Sequence, residues 1–469
     1  MIPFFPRQIA TKAVSIYLIS LALVSVIFFR FSMPLWRMGL GLAFVAGFFM
    51  LTATWSKKWT RMPDGQFTLQ IFVFSFVLRF FWVLASYFYY MNVNGVPPFE
   101  FEAADSVGYH EVAEWLSSES WDVAWAFFFG PYTTGVSDVG YPLYLTLLYK
   151  LFGPFVLVPR FIKCLLGAWT CVMIYRLTSR TFSDPVGRMA GIMCCLMPNF
   201  IIYCGYHLKE VEMLFLEVAF LERLDYLLRV RRYNLWNILL PILLAASLFF
   251  FRTVLGAMAI FAATTAVVFT DTPMMKKGGR RLLIAGWGAL AIIVGAGTVI
   301  TTEAEMYWEQ RDENVARKRE QQTAKGNQWA QYATGTVMAP MIVALPFSTM
   351  VVTEGQENQI TKHGGNYVRN FMAFFALLAI FEAFRQKKWR DFTLIGAFTL
   401  GYLFVIALTG YSNAERFLIP GLPGLIIMWA YGVSELRWES YRLLRPWCFV
   451  VILMEISWAF FKLGSRGLF

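Results

Sequence analysis

Apolar residues gather in long blocks separated by short polar stretches, most of them basic. The blocks run at about 10–29, 34–54, 67–90, 155–178, 187–204, 209–228, 234–251, 253–270, 281–300, 368–384, 391–409, 417–434 and 446–462. Each approaches the roughly 20 residues that a helix needs to cross a hydrocarbon core. The pattern predicts an all-α integral membrane protein with about 13 transmembrane helices. Two apolar segments fit less simply. Residues 139–153 (GYPLYLTLLYKLFGP) are short, and 336–352 are broken by Pro340 and Pro346. Both are expected to embed from the outer side without crossing. Non-helical backbone at membrane depth survives only where protein buries it or water lines it, so both are candidate walls of a site.

Charge supplies the orientation. Basic clusters sit at Lys57, Lys58 and Arg61, at Arg176, Arg180 and Arg188, at Arg229, Arg231 and Arg232, and at Lys276, Lys277, Arg280 and Arg281. Others are Arg385, Lys387, Lys388 and Arg390, then Arg437, Arg442 and Arg445. Cytoplasmic loops concentrate Lys and Arg, so these positions are expected inside. Residues 91–138 carry Glu100, Glu102, Asp105, Glu111, Glu114, Glu119, Asp122 and Asp138 with no Lys or Arg, and are expected outside. A second outer stretch is expected at 301–367, and the C-terminus outside. The N-terminus, with Arg7 and Lys12 before an apolar block and no small-residue cleavage site, reads as a first membrane helix. This divides the chain into an N-terminal transmembrane hairpin (1–66), a membrane module with its outer loop (67–270) and a C-terminal membrane module (271–469). The location expected is the bacterial inner membrane.

Composition agrees. Of 469 residues, 58% are apolar and 15% charged, with a mean hydropathy of +0.54. That excludes a water-soluble enzyme, a disordered chain and a secreted disulfide scaffold. The net charge of +11 follows from basic inner loops, so no nucleic-acid partner is implied. The six cysteines lie in or beside apolar blocks and read as reduced packing residues.

The candidate chemistry clusters on the expected outer side. Asp105 precedes a short predicted helix, about 106–119, with Val112, Trp115 and Leu116 on its apolar face. Asp105 is either an N-cap or a general base at the membrane boundary. His207-Leu208-Lys209-Glu210 places a cation beside a carboxylate, either snorkelling to the interface or holding a phosphate. Arg252 stands alone between two blocks, and Glu415-Arg416 precedes another. Ionisable residues at membrane depth are functional candidates by default, and guanidinium matches phosphate geometry. The three histidines, His110, His207 and His363, fall in outer segments; with Asp105 and Glu111 they leave a divalent cation possible without a recognised metal spacing. The mixed-charge stretch from Glu303 to Gln331 is a solvated helix or a lid. No phosphate-binding loop, dinucleotide fingerprint, zinc-protease helix or Ser-His-Asp pattern stands out.

These residues resemble the GT-C class of polytopic glycosyltransferases, and within it the protein O-mannosyltransferase and lipid A aminoarabinose transferase group. The resemblance rests on four features. They are Asp105 with Tyr109 in an outer loop; Gly140-Tyr141-Pro-Leu-Tyr144 with Leu151-Phe-Gly153 and Arg160; His207-Leu-Lys-Glu210 after Pro198; and Glu415-Arg416-Phe-Leu-Ile-Pro420. Ser106 stands where the group often has a second acid, and Gly108 where aminoarabinose transferases have a basic residue. The resemblance implies transfer of a sugar from a polyprenyl-phosphate donor to a glycan, lipid or protein acceptor, with inversion and without a nucleotide. Asp105 would be the base and Glu210 its helper or the orienter of Lys209. Lys209, Arg252 and Arg416 would hold the phosphate. Tyr109, His110, Tyr141, His207 and Glu415 would position substrates. A lipid-linked oligosaccharide ligase or polymerase shares this logic. A lipid or polysaccharide transporter is the non-enzyme alternative, but it would want polar residues deep in the helices.

Overall fold

A computed structural model describes residues 2–130, 139–230, 234–269, 313, 339–353, 355–408 and 415–468. Among them every regular element is helical, and the one strand-like pairing is an isolated bridge between Ser32 and Val351. Seven helices are long and apolar enough to cross a membrane: α1 (Arg7–Ile27), α2 (Leu35–Lys58), α3 (Asp64–Val93), α7 (Leu157–Thr181), α14 (His363–Arg385), α16 (Glu415–Ser434) and α17 (Trp438–Gly464). Between α3 and α7 come α4 (Ala104–Ser118), α5 (Trp121–Phe129) and α6 (Gly140–Phe152). After α7 come α8 (Asp184–Leu196), α9 (Pro198–Ile202), α10 (Glu210–Val230), α11 (Leu235–Phe251) and α12 (Thr253–Phe269). The remaining helices are α13 (Glu357–Thr361) before α14, and α15 (Thr393–Leu408) between α14 and α16.

The chain is a multi-pass membrane protein. The expected count of about 13 spans exceeds the seven helices selected by length and composition for identifiable reasons. α8 and α9 make an eighth span only if their 49° bend is counted as one crossing. α10 carries five carboxylates: Glu210, Glu212, Glu217, Glu222 and Asp225. α11, α12 and α15 are 17, 17 and 16 residues long. The predicted block at 281–300, and the stretch from Glu303 to Gln331 apart from Glu313, lie outside the described residues.

Charged pairs sort to the two ends of the bundle. At one end Arg188 pairs with Asp64 and Asp184 at 2.7 and 2.6 Å, Arg180 with Glu222 and Asp225 at 2.8 and 3.0 Å, and Arg229 with Asp225 at 2.7 Å. At the other end lie Asp105, the start of α10 and the start of α16.

The α8–α9 bend is built from sequence. Pro198 has no N–H, so the carbonyl of Cys194 lacks its intrahelical donor. Arg79, fully buried on α3, fills the vacancy. Its guanidinium donates to the Cys194 and Cys195 carbonyls, both at 3.3 Å, and to the Ser75 hydroxyl. Gly167 on α7 leaves the room, since a Cβ there would fall 2.7 Å from Arg79 Nε. All six cysteines are free and buried, in keeping with packing roles.

The two irregular apolar segments are accommodated differently. α6 has 13 residues, about 20 Å of helix, too short for a hydrocarbon core of about 30 Å. Residues 344–351 are non-helical yet buried. Asn370 on α14 satisfies their backbone: its amide donates to the carbonyls of Ala344 (2.6 Å) and Pro346 (2.9 Å), and its oxygen accepts from the Ser348 N–H (3.2 Å). Protein burial with paired polar groups makes such backbone tolerable at membrane depth. The N-terminal hairpin packs on α14 and α17, with Tyr17 2.7 Å from His363 Nε2 and Tyr367 donating to the Ala13 carbonyl at 2.7 Å.

The Arg79 arrangement predicts a paired result in thermal unfolding. Arg79→Met should destabilise the protein by about 2–4 kcal/mol, because two buried carbonyls lose their donor. Pro198→Ala restores the N–H that Cys194 lacks and should recover part of that loss; no recovery would contradict this account of the bend.

Candidate functional site

The turn that presents His207 and Lys209 is held from beneath. Lys163, fully buried on α7, donates to the carbonyls of Tyr206 (2.8 Å) and Leu208, and lies 3.8 Å from Glu212. An ammonium satisfies loose carbonyls and supplies charge at once, so the turn is fixed although it belongs to no helix. Arg160, one turn earlier on α7 and also buried, donates to the Pro98 carbonyl at 3.1 Å and ties the outer loop to the same helix.

Asp105 is not an N-cap. α4 begins at Ala104, the cap position is Ala103, and no side chain caps it. Asp105 lies instead within the first turn, where a carboxylate is favoured by the helix dipole, and accepts a hydrogen bond from Arg416 Nη1. Leu116 and Ala113 are buried, whereas Trp115 is 47% exposed.

Arg416 is the hub. Its Nε donates to Glu210 Oε1 at 2.6 Å while Nη1 reaches Asp105, so one guanidinium bridges α4 and α10 from the start of α16. Glu210 is fully buried, and its Oε2 has no hydrogen-bond partner among the described residues. Asp105 is 57% exposed on its side chain. The pair is therefore asymmetric, with one buried anchor and one carboxylate open to solvent.

Lys209 does not snorkel into water. It is 2% exposed and donates to the Phe251 carbonyl at 2.7 Å. Burial and the nearby Arg252 cation push its ammonium down to about 7, while Glu210 pulls the other way. Arg416 and Asp105 also act on it, so the five charges form one electrostatic cluster. Arg252 is buried and is held by neutral groups: the Tyr402 hydroxyl at 3.2 Å and the face of Phe417 at 4.8 Å.

The predicted positioning residues divide. Tyr109 packs edge-on against Tyr141 with centroids 5.1 Å apart. Burial raises the Tyr109 phenol, with the Arg416 cation opposing. Tyr141 is fully buried, and its hydroxyl has no partner among the described residues. Tyr149 bridges two histidines, 2.8 Å from His110 Nδ1 and 3.2 Å from His207 Nε2. Burial lowers the His110 pKa, and burial with the Lys163 and Arg160 cations lowers that of His207 well below the ordinary value, so both imidazoles are neutral at pH 7. His363 lies apart, buried against Tyr17. Of the donors joined in the sequence analysis, His110 and His207 meet through Tyr149 while His363 does not join them, and among the described residues no three His, Cys, Asp or Glu side chains are grouped to hold a metal ion.

Glu415 faces away from Arg416's partners. Its Oε2 is 2.9 Å from Lys362 Nζ, and its Oε1 accepts from Asn199. Between these groups lies a polar cavity of about 200 Å³ lined by Glu100, Asp105, Ser106, Lys362, Glu415 and Arg416, among others. Ser106 donates to Glu100, so a carboxylate stands beside Asp105 although the next residue in sequence is not acidic. Sequence reasoning did not place Lys163, Lys362, Glu100 or Asn199 in the site. Lys163 was findable as an ionisable residue inside an apolar block. Lys362 gave no signal within its polar stretch.

Comparison with known proteins is sparse. No protein-family model matches the sequence, and no curated protein matches it. Two solved structures of an Archaeoglobus fulgidus oligosaccharyltransferase are similar to the chain at 11% identity and a TM-score of 0.46. One is AglB in complex with an inhibitory peptide and a dolichol-phosphate, covering 85% of this chain; the other is tethered to an acceptor peptide containing the NVT sequon, covering 87%. The chain spans 56% of the length of each.

The asymmetry of the Arg416 clamp gives a stability ordering. Glu210→Ala strips the buried side of the guanidinium and should cost about 2–4 kcal/mol in thermal unfolding. Asp105→Ala removes an exposed partner and should cost less than about 1 kcal/mol. The reverse order would refute the assignment of anchor and open arm.

Proposed function

We propose that this protein is a membrane glycosyltransferase that moves a sugar from a polyprenyl-phosphate donor to an acceptor hydroxyl at the non-cytoplasmic membrane face, with inversion. The supporting observation is the charge cluster: Arg252, Arg416, Glu210 and Asp105 all act on buried Lys209, and Asp105, paired with Arg416, is its solvent-open carboxylate. A mainly apolar groove of about 430 Å³, with Leu143, Leu147, Phe215, Leu216 and Phe250 among its lining residues and Glu212 as its one carboxylate, runs up to Phe251, whose carbonyl holds Lys209. A phosphate at the cations and a prenyl chain in that groove belong to one molecule.

The donor phosphate competes with Asp105 for Arg416. While the pair is closed, the guanidinium occupies a carboxylate oxygen that the acceptor hydroxyl needs. A phosphate taking Arg416 releases Asp105 and frees that oxygen to accept the proton. Asp105 then takes the proton of the acceptor hydroxyl, and the acceptor oxygen attacks the anomeric carbon. The bond from that carbon to the phosphate oxygen breaks, and its electron pair leaves with the lipid phosphate. Cations held against that oxygen stabilise the charge as it develops. Tyr109 and Tyr141 form the aromatic wall nearest this position, and neutral His110 and His207 supply hydrogen bonds to sugar or acceptor hydroxyls without competing for the phosphate.

Two outcomes are expected with purified protein and a panel of polyprenyl-phosphate sugars. Asp105→Asn should lower transfer by about 10²–10⁴-fold while donor binding persists; near-normal turnover would exclude Asp105 as the base. Donor affinity should fall as pH rises through about 7, because Lys209 is charged below that value and neutral above it. Lys209→Arg keeps its charge throughout and should abolish the fall. A pH response unchanged in that variant would remove Lys209 from the phosphate site.

A further inference from the structure

At the end of the bundle opposite Asp105, an open groove of about 770 Å³ lies between α1 and α17. Its rim carries Arg7, Lys12 and Arg445, and no carboxylate lines it. Below the cations the walls turn to Ser15, Ile16 and Cys448. The placement at this end is fixed by the chain itself. The Ile2 N–H donates to the Ser434 carbonyl at 2.7 Å, at the far end of α16 from Arg416.

Four other cations at this end are neutralised by carboxylates. Arg180, Arg188, Arg229 and Arg385, at the same end, each meet a carboxylate at 2.6–3.0 Å. Among the described residues Arg7, Lys12 and Arg445 meet none. Lys12 is nevertheless held in place, donating to the Tyr441 hydroxyl at 2.7 Å with its ammonium 4.2 Å from the ring centroid. A second feature adds positive potential. The first turn of α1 contains no acidic residue, and Pro6 at its N-cap offers no side-chain cap. The helix dipole therefore presents its positive end uncompensated beside Arg7. Arg7 and Lys12 lie five residues apart, about 7.5 Å along the helix, which matches the depth of a headgroup layer.

We propose that this groove binds an anionic phospholipid of the leaflet on the basic side of the bundle. The headgroup phosphate sits among Arg7, Lys12 and Arg445, and an acyl chain runs down past Ser15 and Ile16. Basic pockets between membrane helices on this side have the chemistry for such headgroups. A free phosphate would use the cations alone and gain nothing from the apolar walls; a lipid uses both. The site lies at the opposite end from the proposed transfer chemistry and does not depend on it.

The test uses the full-length protein in detergent, with lipid retention read by native mass spectrometry. Phosphatidylglycerol should be retained in preference to phosphatidylcholine. The double variant Arg7→Gln/Arg445→Gln should weaken phosphatidylglycerol retention by about 25-fold, from roughly fivefold per cation. Ser15→Phe, at an exposed position, fills the groove without changing charge and should weaken it at least about fivefold. Equal retention of both lipids would overturn the proposal, as would undiminished retention in either variant. Thermal stabilisation by inorganic phosphate equal to that by phosphatidylglycerol would overturn it in favour of a simple anion site.

Discussion

Arg416 carries one positive charge and faces two carboxylates, and the geometry of this end of the bundle follows from how that shortage is resolved. Glu210 is buried, so its charge must be compensated and the Arg416 contact is close to obligatory. Asp105 is exposed, so water can replace its share of the guanidinium. The bridge joins the outer loop to two membrane helices while leaving one arm exchangeable. An anion arriving at Arg416 displaces the carboxylate that costs least to release. In the proposed reaction, binding of a phosphate and release of a base would thereby be the same event.

That arrangement relies on a rigid floor. The α8–α9 bend turns the chain toward residues 206–209, and the bend persists because Arg79 replaces the hydrogen bonds that Pro198 removes. Lys163 then pins the turn by its carbonyls, leaving Lys209 to cross to the Phe251 carbonyl. Three buried cations, Arg79, Lys163 and Lys209, thus serve backbone carbonyls. In a low-dielectric interior such charge-assisted bonds are strong, and they fix the turn at 206–209 without any regular element there.

Much of this was readable from the chain. The apolar blocks within the described residues are helical, and Asp105, Lys209, Glu210, Arg252 and Arg416 came from charges that packing did not require. What sequence pattern missed has a common cause. Burial of α10 against the bundle lets it carry five carboxylates, so block hydropathy does not separate a packed helix from a lipid-facing one. Asp105 is not the cap because α4 starts at Ala104, two residues before the predicted start at about 106. His363 was grouped with the other histidines by predicted side alone, whereas the packing of α14 against α1 draws it away. The pairing of Lys362 with Glu415 joins positions whose proximity depends on tertiary packing.

The most direct test is a structure of the protein with a polyprenyl phosphate bound. The account predicts the phosphate among Lys209, Arg252 and Arg416, with Arg416 still on Glu210 but separated from Asp105. A phosphate bound elsewhere, or bound there with the Arg416–Asp105 contact intact, would contradict it.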